Sequence, residues 1–289
     1  MTQYDKPFLN IDEQVKLLQS RGLIFADEEK AKFYIKHIGY YHLSIYAKAY
    51  QNPDNQFKTN TTFDDILNLY NFDKKLRILI LDMLERVEMS FKCILSHEIT
   101  RIRNDNFWYT VDKNEYGDSE DKIKDIISGL KESKEIYIDH FYQKYPESEY
   151  PPAWIFFESM TFGECSLFVR NLGERERQVV AGSYKLSKAV INMFYHLSHL
   201  RNACAHHSRI WNRRFITKIA KYPKYSDTFN DNYDNSLYSY LVIMQILIIR
   251  ISPESNWLDR LNNLIDKYKV DINRMGFPTD WKCKLESIK

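Results

Sequence analysis

Residues 196–213, HLSHLRNACAHHSRIWNR, contain four histidines and no carboxylate. Arg201, Asn202 and His206 stand near the centre of this stretch, with four residues between the arginine and the histidine. Imidazole titrates near neutral pH, so a histidine can give or take a proton there. Arginine stays charged and binds phosphate oxygens with its planar fork. These residue types suit cleavage of RNA, in which a 2′-hydroxyl attacks the adjacent phosphorus.

This reaction needs a base, an acid and positive charge beside the developing phosphorane, and a carboxylate is needed for none of these roles. A metal-dependent site would place Asp or Glu ligands beside the histidines. The absence of acidic residues from the stretch therefore favours metal-free cleavage without a cofactor. We expect products with 2′,3′-cyclic phosphate and 5′-hydroxyl ends, and we assign catalysis to Arg201, His206 and Asn202, the last as an orienting residue near His206.

Positive charge is concentrated around the same stretch. Residues 177–226 carry ten Lys or Arg residues and no Asp or Glu, whereas the rest of the chain has 31 basic and 39 acidic residues. Such asymmetry is typical of a protein that binds a polyanion. Alternatively, acidic residues from elsewhere fold over the segment and neutralise it. The residues that we expect to bind RNA are His199, His207, Arg209, Arg213, Arg214 and Lys218.

The apolar spacing predicts a helix over residues 187–211. At 100° per residue, one 80° face of this helix carries His199, Asn202, His206, Arg209 and Arg213. His207 falls at the edge of the apolar stripe, which favours a structural role, although His207 is also the alternative to His206 as catalytic histidine. His196 and His199 could equally orient a neighbouring group.

One chain supplies an incomplete set of catalytic groups. Arg201 and His206 lie about 140° apart on the helical wheel, and one motif offers one well-placed histidine. The only similar internal segment, RIRNDNFW at 101–108, has no histidine at the required spacing. We therefore expect a symmetric homodimer in which the 195–213 faces of two chains meet near the two-fold axis and form a composite active site.

The rest of the chain predicts further helices and no strand of useful length, so the expected fold class is all-α, a helical bundle. We expect an N-terminal helical segment, residues 1–60, packed on a main helical domain, residues 61–289. Glu85, Arg86 and Glu88 are expected to form ion pairs or to support the motif helix. The further helices are expected at 10–22, 27–39, 62–103, 119–144, 153–160, 163–171, 236–251 and 254–268, where 62–103 is either one long helix or two nearly collinear ones.

The sequence gives no sign of a membrane protein. The most apolar run, LVIMQILIIRI at 241–251, is too short to span a bilayer and predicts a buried helix. The chain starts without a basic and apolar leader, and its four cysteines are too far apart in sequence for a disulfide framework or a zinc site. We expect a cytoplasmic protein without a membrane partner.

Five ordered blocks resemble the Abi-like family (the AbiD and AbiF group) of bacterial abortive-infection proteins, within the HEPN superfamily of ribonucleases. Arg201 and His206 match the superfamily motif of Arg, four to six residues and His, and Asn202 is the polar residue that usually follows the arginine. The chain departs from the motif because a second histidine, His207, follows at once. The blocks are KPFLNIDEQVKLLQSRGLIFADEEKAKFYIKHIGYYHLSIY at 6–46, LERVEMSFK at 84–92, YPPAWIFFESMTFGECSLFVRNL at 150–172, LRNACAHHSRIWNR at 200–213 and GFPTDW at 276–281.

The resemblance implies a HEPN-type helical fold, RNA as target, a role in phage defence or toxin-like growth arrest, and pairing of two motifs in one active site. Related systems pair such a protein with a small inhibitory RNA, which is a second candidate partner. Two alternatives remain open. A non-catalytic module that holds a structured RNA would bind with steep salt dependence and never cut. A helical protein-interaction scaffold would be indifferent to salt and to Arg201→Ala.

Overall fold

The computed structural model describes residues 7–110, 119–231 and 234–289. Over these residues the secondary structure is helical, with isolated β-bridges and no strand. The all-α prediction is therefore confirmed. The α-helices are α1 (Ile11–Ser20), α2 (Glu28–Ile38), α3 (Tyr40–Ala47), α4 (Phe63–Arg103), α5 (Ser119–Lys131), α6 (Ile136–Lys144), α7 (Ala153–Ser159), α8 (Phe162–Asn171), α9 (Glu174–Ser183), α10 (Val190–Ala205), α11 (Leu237–Ile251), α12 (Trp257–Tyr268) and α13 (Trp281–Glu286).

The chain divides into two compact units. One comprises the chain up to Arg77 together with Leu261–Asp271, and the other comprises Ile78–Arg260 and Ile272–Lys289. The domain organisation expected from the sequence, with a boundary after residue 60, stays a prediction. Every side chain of the candidate site described below belongs to the second unit.

Helix α4 is one continuous helix of 41 residues. Its apolar residues recur at spacings of three and four, which places them on one side of the helix, and Leu84, Val87 and Phe91 are fully buried. The Phe91 ring stacks on that of Phe194 in α10, with the ring centroids 4.1 Å apart. Helix α4 therefore supports the helix that carries the predicted motif.

Helix α11 is buried along most of its length, which confirms the interpretation of the apolar run at 241–251. Its one buried amide, Gln245, accepts a hydrogen bond from the Trp257 indole at 2.7 Å and donates one to the Leu285 carbonyl at 3.4 Å. Helix α10 packs against both α11 and α8. No helix in the described part of the chain combines the length and apolar character needed to cross a bilayer.

Two predicted helices are shorter than expected. The single helix predicted over residues 119–144 is divided into α5 and α6, because residues 132–135 leave the helical path. There the Ser133 hydroxyl accepts the backbone N–H of Glu135 at 3.2 Å, a local bond that competes with helix formation. The motif helix predicted over 187–211 covers only Val190–Ala205, so its last predicted turns are absent.

Candidate active site at the end of helix α10

Helix α10 ends in a capped turn that places two adjacent histidines just outside it. His206 is the cap residue, and His207 follows with a left-handed φ of 57°. The Ser208 backbone N–H then donates to the Ala203 carbonyl at 2.9 Å. This is the Schellman arrangement, whose left-handed position glycine usually occupies. The turn ends the helix at Ala205 without a glycine.

The prediction of one polar helix face is therefore only partly correct. His199 and Asn202 are exposed on α10, and His206 is exposed directly after its end. Arg209 and Arg213 lie beyond the capped turn, so a helical wheel does not place them, and their assignment to the 80° face is wrong.

His207 is exposed and lies outside the helix, so its placement at the edge of the apolar stripe is also wrong. The assignment of the catalytic role to His206 and of RNA binding to His207 stays a prediction.

The left-handed backbone of His207 should cost stability, and His207→Gly should recover part of it. A residue with a side chain pays about 1–2 kcal/mol in this region, whereas glycine loses about 0.5–1 kcal/mol of backbone entropy. We expect the free energy of unfolding, measured with urea, to rise by about 0.5–1 kcal/mol. The control His206→Gly, at φ −86°, should give no gain. Equal effects of the two substitutions would contradict this account.

A carboxylate from a distant part of the sequence positions Arg201. Glu88 of α4 is nearly buried, and its Oε2 lies 3.3 Å from Arg201 Nε. The same guanidinium donates through Nη1 to the Asn202 side-chain oxygen at 3.3 Å. The prediction that Glu88 supports the motif helix is thus confirmed. Asn202 contacts Arg201 through its side chain, and only its backbone carbonyl bonds to His206.

Lys92 completes this cluster, and sequence reasoning missed it. Its Nζ lies 3.3 Å from Glu88 Oε1, one turn along α4, and donates to the Glu158 carbonyl at 3.3 Å. Lys92 is at least as buried as Glu88, so the carboxylate lies between two cations in a largely dry setting. The spacing of four between a glutamate and a lysine on a predicted helix was the available signal.

His196 has a structural role. Its Nδ1 lies 3.1 Å from the Thr217 hydroxyl, and its ring meets that of Tyr240 edge to face. Burial, with the nearby His199 and Arg170, lowers the pKa of His196 to about 4, so its ring is neutral at pH 7.

His199 retains an exposed surface and packs edge to face against Tyr195, with ring centroids 4.7 Å apart. Desolvation of its covered part lowers its pKa.

The low pKa of His196 should make stability depend on pH. An unfolded histidine titrates near 6.5, so between about pH 6.5 and 4 the unfolded chain binds more protons at this residue than the folded chain. Stability should therefore fall as the pH falls through this window. As the pH falls through this window, we expect the free energy of unfolding to decrease more for the wild type than for His196→Gln, which lacks the titrating ring. A difference that is constant from pH 7 to 4.5 would refute the assignment.

Acidic residues neutralise part of the basic region, so the alternative of acidic residues folding over it is correct in part. At least five of its ten cations form ion pairs within the described structure. The pairs are Arg177–Glu174 at 3.1 Å, Lys188–Glu174 at 2.8 Å, Arg201–Glu88 at 3.3 Å, Lys218–Asp234 at 3.4 Å, and Lys221–Asp231.

The segment after the histidines is anchored by buried apolar side chains. Ile210 and Trp211 are buried, and the Arg274 guanidinium carbon lies 5.5 Å from the Trp211 ring centroid. Arg213 is half-buried over the Phe215 ring at 5.5 Å. Anchoring of this kind fixes the backbone on which the predicted RNA-binding arginines are carried.

Of those arginines, Arg209 is half-buried and Arg214 is exposed. Lys218 is also exposed, with 74% of its side chain accessible. RNA binding by the three residues stays a prediction. In the described ranges, no group of three or more His, Cys, Asp and Glu side chains comes together in a way that could hold a metal ion.

Comparison with known proteins was made on the whole chain. A family model described as "Abi-like protein" matches residues 33–212. The match includes the long helix α4 and the Arg201–His206 motif; two of the five resembling blocks lie entirely within it, and two more overlap it. No curated protein and no solved structure matches the chain. Because the matched range covers more than half of the sequence, the chain belongs to the Abi-like protein family.

Proposed function

We propose that this protein is a metal-independent endoribonuclease of the HEPN type that acts in phage defence by abortive infection. One observation carries the proposal: an exposed histidine, His206, directly follows a helix whose Arg201 is held by a buried carboxylate. Family membership supports the role in abortive infection. The motif residues supply proton transfer and a fixed positive charge, which RNA cleavage requires.

The proposed reaction is transfer of the phosphoryl group within the RNA strand. A base takes the proton of the 2′-hydroxyl, and the 2′-oxygen forms a bond to the adjacent phosphorus. The bond between phosphorus and the 5′-oxygen breaks, and an acid gives that oxygen a proton. The products are a 2′,3′-cyclic phosphate and a 5′-hydroxyl, and no oxidant or further reactant is consumed.

Arg201 is suited to stabilise the charge of the phosphorane. A guanidinium has five N–H donors. Glu88 engages the Nε edge and Asn202 engages one Nη1 donor. Within the described structure the Nη2 group and the second Nη1 hydrogen remain for phosphate oxygens. The side chain is therefore fixed on one side and able to bind phosphate on the other.

The donor set favours a reaction without a metal. Glu88, the carboxylate that contacts the motif, already lies within 3.3 Å of both Arg201 and Lys92. A cation bound to Glu88 would have to displace one of them or remain beside both, and like charges repel in a site of low polarity. Histidine and arginine alone meet the chemical needs of the reaction.

A homodimer is part of the proposal because two proton transfers need two groups. His206 can perform one of them, and a second chain related by two-fold symmetry would bring its own His206 to the other. Asn202 and His206 of the motif are exposed, as contact with the motif of a second chain requires. RNA is the proposed substrate, and a small inhibitory RNA is a further proposed partner in the cytoplasm.

The test is to incubate the purified protein with mixed cellular RNA in excess EDTA and to map both ends of the products. We expect cleavage that resists the chelator. The 5′ ends should accept phosphate from polynucleotide kinase without prior dephosphorylation, and the 3′ ends should resist ligation until the cyclic phosphate is opened and the resulting phosphate is removed.

Cleavage that appears only with added magnesium, or that leaves 5′-phosphate ends, would refute the mechanism. Binding of RNA with steep salt dependence but no cutting under any condition would favour the non-catalytic RNA-binding module instead.

A further inference from the structure

A second basic site lies beside the motif helix, in a cleft of about 320 Å³. Its walls are the end of α8, the first two turns of α10 and residues 218–222. Three cations line it, Arg170, Lys218 and Lys221, and its lining among the described residues includes no carboxylate. Both the charge and the volume suit a small anionic group with an organic part.

Arg170 is held over an aromatic ring at one wall of the cleft. Its guanidinium carbon lies 4.5 Å from the centroid of the Tyr195 ring, and both side chains line the cleft. The edge-to-face contact with His199 fixes the tyrosine ring in turn. An arginine plane supported in this way is a surface on which nucleobases stack in complexes with single-stranded RNA.

The two lysines of the cleft are available to a phosphate. Lys218 and Lys221 are paired with Asp234 and Asp231, but the four side chains are between 43% and 78% accessible. Ion pairs as exposed as these contribute little to stability. A phosphate oxygen can therefore replace either carboxylate at small cost. The exposed amide of Asn192, which also lines the cleft, can donate to and accept from a base edge.

Tyr195 of the cleft and Asn202 of the proposed active site lie on the same side of α10. Tyr195, His199 and Asn202 follow each other at spacings of four and three, which puts them on the same side of the helix. Seven residues of helix separate Tyr195 from Asn202, a distance of about 10 Å. A strand whose scissile phosphate lies at Arg201 can reach the cleft with a neighbouring nucleotide.

We propose that this cleft binds one nucleotide of an RNA strand, with its base against the Arg170 guanidinium and its phosphate beside Lys218 and Lys221. The identity of the strand as the substrate rests on the proposed function, whereas nucleotide binding in the cleft does not depend on catalysis.

The test measures binding to the full-length protein by fluorescence anisotropy, with a labelled RNA of about eight nucleotides. The RNA carries 2′-O-methyl groups, so it lacks the nucleophile and stays intact. We expect Arg170→Ala to raise Kd about tenfold through the loss of base stacking. Arg170→Lys keeps the charge but not the planar surface, and should weaken binding by a similar factor. The matched control is Arg175→Ala, an exposed arginine of α9 outside the cleft, which should stay within about twofold of the wild type.

The lysines are tested by salt dependence. The two lysines share one phosphate in this proposal, and one neutralised phosphate on a single strand contributes about 0.7 to the slope of log Kd against log salt concentration. We expect the double variant Lys218→Ala, Lys221→Ala to reduce the slope by about that amount.

A competition experiment with nucleoside 5′-monophosphates identifies the source of the nucleotide. Competition that is lost in Arg170→Ala would assign the cleft to free nucleotides as well. Binding of the strand without such competition would assign it to the strand alone.

The outcomes separate this proposal from the proposed function. Equal affinities of Arg170→Ala and Arg175→Ala would overturn the nucleotide cleft, whether or not the protein cuts RNA. Binding that depends on Arg170, in a protein that never cuts RNA, would refute the ribonuclease and leave the cleft in place. All the single substitutions replace exposed side chains, and thermal melting followed by circular dichroism checks that each variant is folded.

Discussion

Replacement of His206 by alanine should lower the rate of RNA cleavage by about 10³-fold or more, the largest effect that we expect from a single substitution in this protein. General acid or base catalysis by one histidine contributes about 10²–10⁴-fold. In a symmetric composite site the substitution removes both histidines together. The measurement is single-turnover cleavage of a labelled RNA in EDTA, with enzyme in excess over substrate.

His207→Ala is the matched control, because the same imidazole is removed one position later. His207 is exposed and is itself the left-handed residue beyond the end of the helix, so we expect its loss to change the rate by less than about threefold, within the effect of one surface contact. The reverse result, with His207→Ala inactive and His206→Ala active, would exchange the roles of the two histidines. Two active variants would refute catalysis by this motif.

Replacement of Arg201 by alanine should lower the rate of cleavage by about 10²–10³-fold, the second largest effect that we expect. Loss of one fixed donor to a developing oxyanion has this size in other enzymes. The substitution also leaves Glu88 without one of its two cationic partners. Arg201→Lys should recover only part of the rate, because lysine has no planar fork for Glu88 and phosphate together.

The role of Glu88 as a positioning residue is tested by Glu88→Gln, which keeps the side-chain shape and removes the charge. We expect kcat to fall about tenfold with KM nearly unchanged, because the substitution loosens Arg201 without removing its charge. Glu85→Gln, which replaces an exposed residue of the same helix, is the control and should behave as the wild type.

If Arg201→Ala cleaves RNA at the wild-type rate, Arg201 has no catalytic role and its salt bridge with Glu88 is structural only.

A composite site also predicts the behaviour of mixtures. When wild-type and His206→Ala chains are mixed and allowed to exchange subunits, activity should fall with the square of the wild-type fraction, because each composite site needs His206 from both chains. A loss in direct proportion to the wild-type fraction, with exchange demonstrated, would mean that each site uses His206 from one chain only.

Much of the fold could be predicted because its signals are local. The spacing of apolar residues along α4 and the apolar run of α11 depend only on neighbouring residues, and both helices are present with nearly the predicted bounds. The end of α10 could not be predicted in this way. The sequence contains no glycine from residue 183 to residue 275, so the residue type that usually indicates a left-handed turn at a helix end is absent near His207.

The residues of the candidate site were proposed from the sequence, but their geometry could not be. The spacing of Arg201 and His206 is visible in the sequence, whereas the cap at His206 depends on a backbone conformation that is not. The contact between Glu88 and Arg201 joins residues 113 positions apart, and only packing of α4 against α10 brings them together. The position of Arg170 over Tyr195 likewise follows from the packing of α8 on α10.

The cluster of Arg201, Glu88 and Lys92 has a practical consequence for work with this protein. Two cations and one anion leave a single uncompensated positive charge, at a guanidinium that is about one third accessible. Free inorganic sulfate and phosphate carry the same oxygens as the nucleic-acid backbone, so they compete for this charge. A reaction buffer of chloride and a zwitterionic base is therefore the appropriate choice, and we expect ammonium sulfate carried over from purification to inhibit the proposed cleavage.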